Sequence, residues 1–357
     1  MDIVRQRLAR QYLTKTAFAS GSEVVRALGA VQSQDYAGAK WGLSQRTTDA
    51  TDADIEREFT DGAILRTHVL RPTWHFVDPI DIRWMLALTA PRVKAAMASY
   101  NRKLELDASV FRRSHAALAK ALAGGQHRTR TELRGVLERA RIGTVNGQRL
   151  GHLMMEAELD AVVCSGPRRG KQFTYALFDE RVAPGAALAR DEALLALTRR
   201  YFETRGPATV HDFAWWSGLA MSDARRGIEI AGRDLQRVTL ADRPHWLAGD
   251  TSDRRAASAH LLPNYDEYFI GYKDRGAIGR RLRSVKAVTG GNALIAHVVV
   301  VDGQLAGGWR RTVGRGAARV SLELLTALTA AERNRIATQV RRLGSFLGET
   351  IDLVGLA

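Results

Sequence analysis

Three times along this chain a hydroxyl residue stands three positions ahead of an acid, just before an apolar helical run. The instances are Ser20-Gly21-Ser22-Glu23, Thr129-Arg130-Thr131-Glu132 and Thr209-Val210-His211-Asp212. The hydroxyl satisfies orphan N–H groups of a first helical turn and the acid reaches back to the cap, so each predicts a helix start. Each follows another helical stretch and precedes a second helix and an extended segment. That order predicts helix-turn-helix plus wing, repeated three times. With 53 Lys and Arg against 38 Asp and Glu, the formal net charge is +15. Three such modules with that surplus make duplex nucleic acid the first partner to consider.

At 357 residues the chain has room for two or three domains with real cores. Its apolar fraction of 45% is that of a globular protein. Surplus positive charge is costly on a compact surface unless a polyanion uses it; the competing reading is the ordinary composition of an Arg-rich soluble protein. Cys164 is the only cysteine, which excludes an intrachain disulfide and a thiolate metal cluster. Its apolar run, Val162-Val163-Cys164, predicts a buried thiol rather than a nucleophile. The start, Met1-Asp2-Ile3-Val4-Arg5, lacks a leader's apolar core, and no stretch approaches a membrane span. The expected setting is cytoplasmic and nucleoid-associated, without membrane contact.

Periodicity predicts an α+β chain divided at 1–100, 101–182, 190–260 and 261–357. In the first module residues 3–17 form an irregular helix, and a second begins near Glu23 with Val24, Leu28 and Val31 on one side. Helices follow over 37–44 and 52–59. Leu65–Val69 and Thr73–Val77 alternate around Leu70-Arg71-Pro72 as a hairpin, the first wing candidate. The second module predicts helices at 115–122, 133–140 and 148–161, then strands 162–165 and 173–178. Their tip, Gly166-Pro167-Arg168-Arg169-Gly170-Lys171, suits contact with phosphates. The third module predicts helices at 191–205, 210–216 and 223–231 and a hairpin from 235–240 and 245–247. Beyond it, 293–301, 303–309 and 314–322 read as a small antiparallel sheet closed by a helix over 330–347. Residues 275–319 hold nine Arg and Lys against one Asp, the densest basic stretch and otherwise a solvated face.

Winged modules bind; they do not cut. A polar cluster, Gln32-Ser33-Gln34-Asp35, follows an apolar helix face directly. In an unbroken helix, positions two apart point nearly opposite ways, so Gln32 and Gln34 cooperate only if the helix ends there. The alternative is a solvated helix terminus with two ordinary glutamines. His75 alternates with Trp74 and Phe76 and shares a face with Thr73 and Val77; it either touches a ligand or packs as a satisfied strand histidine. Trp74 and Phe76 are expected in the core. Asp266 and Glu267, after Leu261-Leu262-Pro263, match no metal spacing with His260 and His297. They read as acids that hold basic helices by ion pairs, with Tyr265, Tyr268, Phe269 and Tyr272 packing the connector.

Val31-Gln32-Ser33-Gln34-Asp35, Leu70-Arg71-Pro72-Thr73-Trp74-His75-Phe76-Val77 and Leu261-Leu262-Pro263-Asn264-Tyr265-Asp266-Glu267-Tyr268 together resemble the bacterial winged-helix DNA glycosylases, over about residues 5 to 310. That family includes enzymes that unhook interstrand crosslinks. The resemblance implies three tandem winged-helix domains and a β-rich C-terminal part, C-shaped around duplex DNA. It implies a catalytic Gln-x-Gln motif at Gln32 and Gln34, the other branch carrying Gln-x-Asp. The implied activity is monofunctional hydrolysis of the N-glycosidic bond of N7-alkylated or crosslinked purines, by a monomer without metal or other cofactor. Asp35 either steadies a cationic sugar or caps the next helix; His75 and Thr73 are supporting candidates. Arg168, Arg169, Lys171, Lys273, Arg275, Arg310 and Arg311 are the candidates for DNA phosphates. The rival readings are a non-catalytic winged-helix DNA-binding protein or transcriptional regulator, and a scaffold that binds protein.

Overall fold

A computed structural model describes residues 1–357 except 145–146, 186, 251–256, 283–296, 314–317 and 356–357. It opens with α1 (Ile3–Arg10), capped by Asp2, and not with a helix reaching residue 17. Then one element order, helix–strand–helix–helix–strand–strand, recurs. Its first instance is α2 (Gly21–Leu28), β1 (Ala30–Gln32), α3 (Tyr36–Ser44), α4 (Asp52–Asp61), β2 (Leu65–His68) and β3 (Trp74–Val77). A long helix, α5 (Ile82–Lys103), leads to the second instance. That comprises α6 (Ala108–Leu122), β4 (Arg128–Thr129), α7 (Arg130–Arg139), α8 (Gly147–Leu159), β5 (Val163–Ser165) and β6 (Thr174–Leu177). In both units the third strand lies between the first two, giving the orders β1-β3-β2 and β4-β6-β5.

After the short α9 (Phe178–Arg181), the third unit comprises α10 (Arg190–Arg205), α11 (Val210–Ser217), α12 (Met221–Ala231), β7 (Leu235–Leu240) and β8 (Arg243–Ala248). Its first strand is reduced to a single bridge, Ala208 to Trp246. Next come β9 (Ala259–Leu262) and α13 (Glu267–Ile270), then β10 (Val298–Val301), β11 (Gln304–Val313), β12 (Ala318–Leu324), α14 (Ala330–Leu347) and β13 (Ile351–Val354). Five strands form one sheet in the order β13-β12-β11-β10-β9, antiparallel except for the pair β12 and β13. Strand β9 and strand β13 were not anticipated from the sequence. The expected strand residues 293–296 and 314–317, and the basic residues 283–286, lie outside the described residues.

All three capping boxes form, at Ser20, Thr129 and Thr209, and two more form at Thr51 and Thr329. They do not mark equivalent points. Thr129 and Thr209 start the second helix of their units, whereas Ser20 starts the first helix of its own. The counterpart of Thr129 and Thr209 in the first unit is Asp35, the N-cap of α3. Val31, expected on a helix, lies in β1 because α2 stops at Gly29, whose φ of 83° suits a residue without a Cβ.

The cores tie the units together. One apolar cluster joins Leu65, Val69 and Val77 of the first unit to α5 and to Tyr201, Phe213 and Trp216 of the third. Another joins Val24, Trp41 and Ile55 to Val299, Val320 and Phe346 of the terminal sheet and helix. The second unit has its own cluster around Leu118, Leu133 and Leu153. Cys164 is buried, and burial pushes its thiol up to about 12, as expected for an inert side chain. Among the described residues no helix is long and apolar enough to cross a membrane.

Candidate active site

Gln32 is the last residue of β1 and pairs with His75 in β3. The Ser33 N–H donates to the Trp74 carbonyl at 2.8 Å, carrying the ladder one residue further. Two residues on, the Asp35 carboxylate accepts the Gly38 N–H at 3.1 Å and starts α3. Gln32 and Gln34 therefore flank the point where strand becomes helix. The segment is not the end of a helix, as the sequence suggested: β1 stops at Gln32, and Gln34 lies in the bend that precedes the Asp35 cap.

This junction is pinned from three sides. Glu267 Oε1 accepts the Gln32 backbone N–H at 3.0 Å. Arg66 donates through Nε and Nη2 to the Ser33 carbonyl at 3.2 and 3.1 Å. Its guanidinium lies between the Trp74 and Phe173 rings, 4.3 and 4.6 Å from their centroids. Burial lowers Arg66 to about 10, so it remains cationic near neutrality. Trp74 is half-buried over this arginine, while Phe76 is fully buried. Glu267 is itself a hub: its Oε2 accepts Arg205 Nη2 at 2.6 Å and Trp216 Nε1 at 2.8 Å. Beside it, Asp266 holds Arg46 through two bonds of 2.9 Å. Both acids do pair with arginines, as the connector reading expected. Tyr268 and Tyr272 anchor that connector, donating to the carbonyls of Gly303 and Arg205.

Gln32 is only 7% exposed. Its Oε1 accepts from Arg71 Nη2 at 2.9 Å. Arg71 sits in the β2–β3 turn, which does not project as a wing tip. Leu70, at φ 63°, tucks the turn against the end of α11. A Cβ on Gly218 would stand 2.0 Å from the Leu70 carbonyl oxygen, so only glycine permits the contact. Burial lowers the Arg71 guanidinium to about 10, against the attraction of Glu267. His75 is fully buried, with Nδ1 2.9 Å from the Thr73 carbonyl. Burial first, then the Arg71 charge, hold it well below the ordinary histidine range. It is the packed, satisfied histidine of the two alternatives, neutral and behind Gln32. Ser33 Oγ, Thr73 Oγ1 and Arg71 Nε are buried here without a hydrogen-bond partner among the described residues, so the junction keeps unused polar capacity.

Gln34 is exposed, and its amide makes no hydrogen bond among the described residues. Asp35 caps the helix, and its charge also acts on His297. His297 accepts the Asn264 N–H at Nδ1, 3.0 Å away, and its ring lies 4.6 Å from that of Trp309. Burial lowers its pKa, with Asp35 opposing. A cavity of about 420 Å³ opens there, lined by His297, Trp309, Arg310 and Glu323. The lysine nearest in sequence, Lys40, is committed to Asp52 at 2.9 Å and Glu56 at 2.7 Å.

The candidate phosphate contacts divide. Lys171, Lys273 and Arg310 are exposed. Arg169 is exposed but paired with Glu132 at 2.8 Å. Arg311 forms a surface ion pair with Glu349, and two others are engaged inside the fold. Arg168 bonds Glu56 at 3.2 Å and lies over Tyr36 and Phe173, joining the second unit's hairpin to the first unit. Arg275 is buried and donates to the Phe269 carbonyl at 2.9 Å. Sequence reasoning gave no role to Arg66 or Arg71; an arginine on a short hairpin, in strand or turn, reads as solvated until the surface that covers it is known.

The family model for DNA glycosylase AlkZ-like proteins matches residues 25–346. A curated relative from Streptomyces sahachiroi, an interstrand DNA cross-link repair glycosylase, is 27% identical over 322 residues, covering 85% of each chain. The solved structure of the Streptomyces sahachiroi DNA glycosylase AlkZ superposes with a TM-score of 0.81 at 22% identity, covering 99% of this chain and 98% of that one.

Proposed function

This chain belongs to the AlkZ-like family of DNA glycosylases, and on that premise we propose that it hydrolyses the N-glycosidic bond of N7-alkylated purines in duplex DNA, interstrand crosslinks included. The curated relative's activity on crosslinks supports the substrate class. The observation that carries the assignment of the site is the Gln32–Gln34 junction, pinned by Glu267, Arg66 and the Asp35 cap. Those bonds fix the backbone from the end of β1 at Gln32 to the Asp35 cap, with Gln34 in the bend between them, and support a site built on the two amides.

The chemistry asks little of them. An N7-alkylated purine is already cationic, so it departs as a neutral base without a general acid. The enzyme steadies an oxocarbenium-like sugar and aims one water at C1′. Carboxamides are poor bases, and they act by position and by oriented dipoles. An unmodified purine, with a stronger bond, is spared. The repeated helix–strand–helix–helix–strand–strand units serve as winged-helix modules over 1–100, 101–182 and 190–260. With the part over 261–357 they curve around the duplex. Lys171, Lys273, Arg310 and Arg169 meet phosphates. The protein works as a monomer at the nucleoid and uses no cofactor.

The test is a duplex carrying one N7-methylguanine, treated with mild alkali to reveal abasic sites. Wild-type protein releases the base; Gln34→Ala loses the product and keeps its DNA affinity. Binding without release of any base across a panel of alkylated purines would leave only a DNA-binding protein.

A further inference from the structure

We propose that Arg71 is a positioning residue that makes Gln32 a hydrogen-bond donor, and not an acceptor, toward the reacting sugar. The inference rests on the reading that the glutamine pair holds the attacking water, and it assigns each glutamine a different task within that pair.

A guanidinium carries five N–H donors and no acceptor, so the end of the Gln32 amide that faces Arg71 has to be the oxygen. The contact is Nη2 to Oε1, 2.9 Å. Nη2 has a second hydrogen, and His75 Nε2 lies 3.5 Å away. That nitrogen is free to accept because the other ring nitrogen, Nδ1, gives its proton to the Thr73 carbonyl at 2.9 Å. His75 is fully buried beside a cation and stays neutral, so its tautomer is fixed. The order Thr73 carbonyl, His75, Arg71, Gln32 thus has one direction, and its open end is the Gln32 Nε2 amide. That NH2 has no hydrogen-bond partner among the described residues and is not among the sealed polar atoms.

A group that only donates can hold a water through one lone pair but cannot take a hydrogen bond from it. The water's O–H must point elsewhere. Gln34, exposed and unpartnered among the described residues, supplies the acceptor oxygen. With one lone pair on Gln32 and one O–H on Gln34, the water's second lone pair is left for C1′. Arg71 touches neither substrate nor water; it acts through Gln32.

The experiment measures single-turnover base release from an N7-methylguanine duplex, with DNA affinity and thermal melting measured alongside. Arg71→Met is expected to slow release about 10- to 100-fold at unchanged DNA affinity, and Arg71→Lys, which still donates, to recover most of it. The double variant Arg71→Met/Gln32→Ala should be no slower than Gln32→Ala alone. Gln32→Glu, isosteric but with acceptors only, should be as slow as Gln32→Ala. A wild-type rate in Gln32→Glu, or additive losses in the double variant, overturns the inference. So does a wild-type rate in Arg71→Met. A wild-type rate in Gln32→Ala instead overturns the glutamine reading beneath it. If Arg71→Met does not fold, Gln32→Glu still decides.

Discussion

Glu267 Oε1 accepts the backbone N–H of Gln32 at 3.0 Å, across 235 residues of chain. The same carboxylate pairs through Oε2 with Arg205, whose side chain is fully buried. One acid thus fixes the strand that carries the first glutamine and neutralises the arginine behind it. Glu267→Ala leaves a buried cation unpaired, a loss on the order of 3–5 kcal/mol. Glu267→Gln is expected to follow the same direction, since an amide cannot satisfy both the Gln32 N–H and Arg205 as the carboxylate does. Thermal unfolding checks this. A melting temperature lowered by less than about 2 °C in Glu267→Ala would show that the hub is not structural.

Much of the fold was legible because it is written in local chemistry. The caps at Ser20, Thr129 and Thr209 satisfy helix ends from three residues away, and all three form. The hairpin strands around Leu70 alternate and do pair. Strand β1 was hidden: three residues are too few to show a period, so Val31 read as the last turn of a helix. Gln32 and Gln34 were picked out as residues, but their setting was not. It depends on Glu267 and Arg66, and a contact between Gln32 and Glu267 leaves no trace in either residue's neighbourhood. The same limit explains Arg168 and Arg275. Charge is visible in a sequence, but the internal partner that takes up the charge is not.

Asp35 separates its two candidate roles by its cap. The carboxylate accepts the Gly38 N–H at 3.1 Å. Serine caps as well as aspartate but carries no charge. If capping is its whole function, Asp35→Ser keeps both stability and the rate of base release. Asp35→Ala then loses about 1 kcal/mol. Slow release by a fully stable Asp35→Ser protein would instead assign the charge to the cationic sugar.

The basic residues make a quantitative claim on salt dependence. Each phosphate contact contributes nearly one unit to the slope of log affinity against log salt. Lys171→Ala and Arg310→Ala are therefore expected to weaken duplex binding uniformly across sequences and to reduce that slope by about one. Arg168→Ala should leave the slope unchanged and lower the melting temperature, because its guanidinium is bound to Glu56 and packed on Tyr36 and Phe173. Fluorescence anisotropy over a salt series distinguishes the two classes. A full unit lost from the slope in Arg168→Ala would restore that residue as a phosphate contact.

His260 makes acid sensitivity a property of the terminal sheet. It lies in β9 opposite Val300, buried, with neither ring nitrogen hydrogen-bonded among the described residues. Burial first, then the nearby charge of Arg46, lowers it to about 3 from an ordinary 6.5, with Asp266 opposing. The folded protein holds His260 neutral where the unfolded chain would protonate it. Its contribution is complete above about pH 6.5 and is lost progressively as pH falls toward 3. His75, also buried and neutral, acts in the same direction. The melting temperature should fall as pH is lowered from 7.5 to 5, and His260→Leu should fall less steeply because one of the buried histidines that gain a proton on unfolding is gone. Melting curves at half-unit pH steps read the difference. Parallel slopes for the two proteins would mean that His260 is protonated, or reaches solvent, in the folded state.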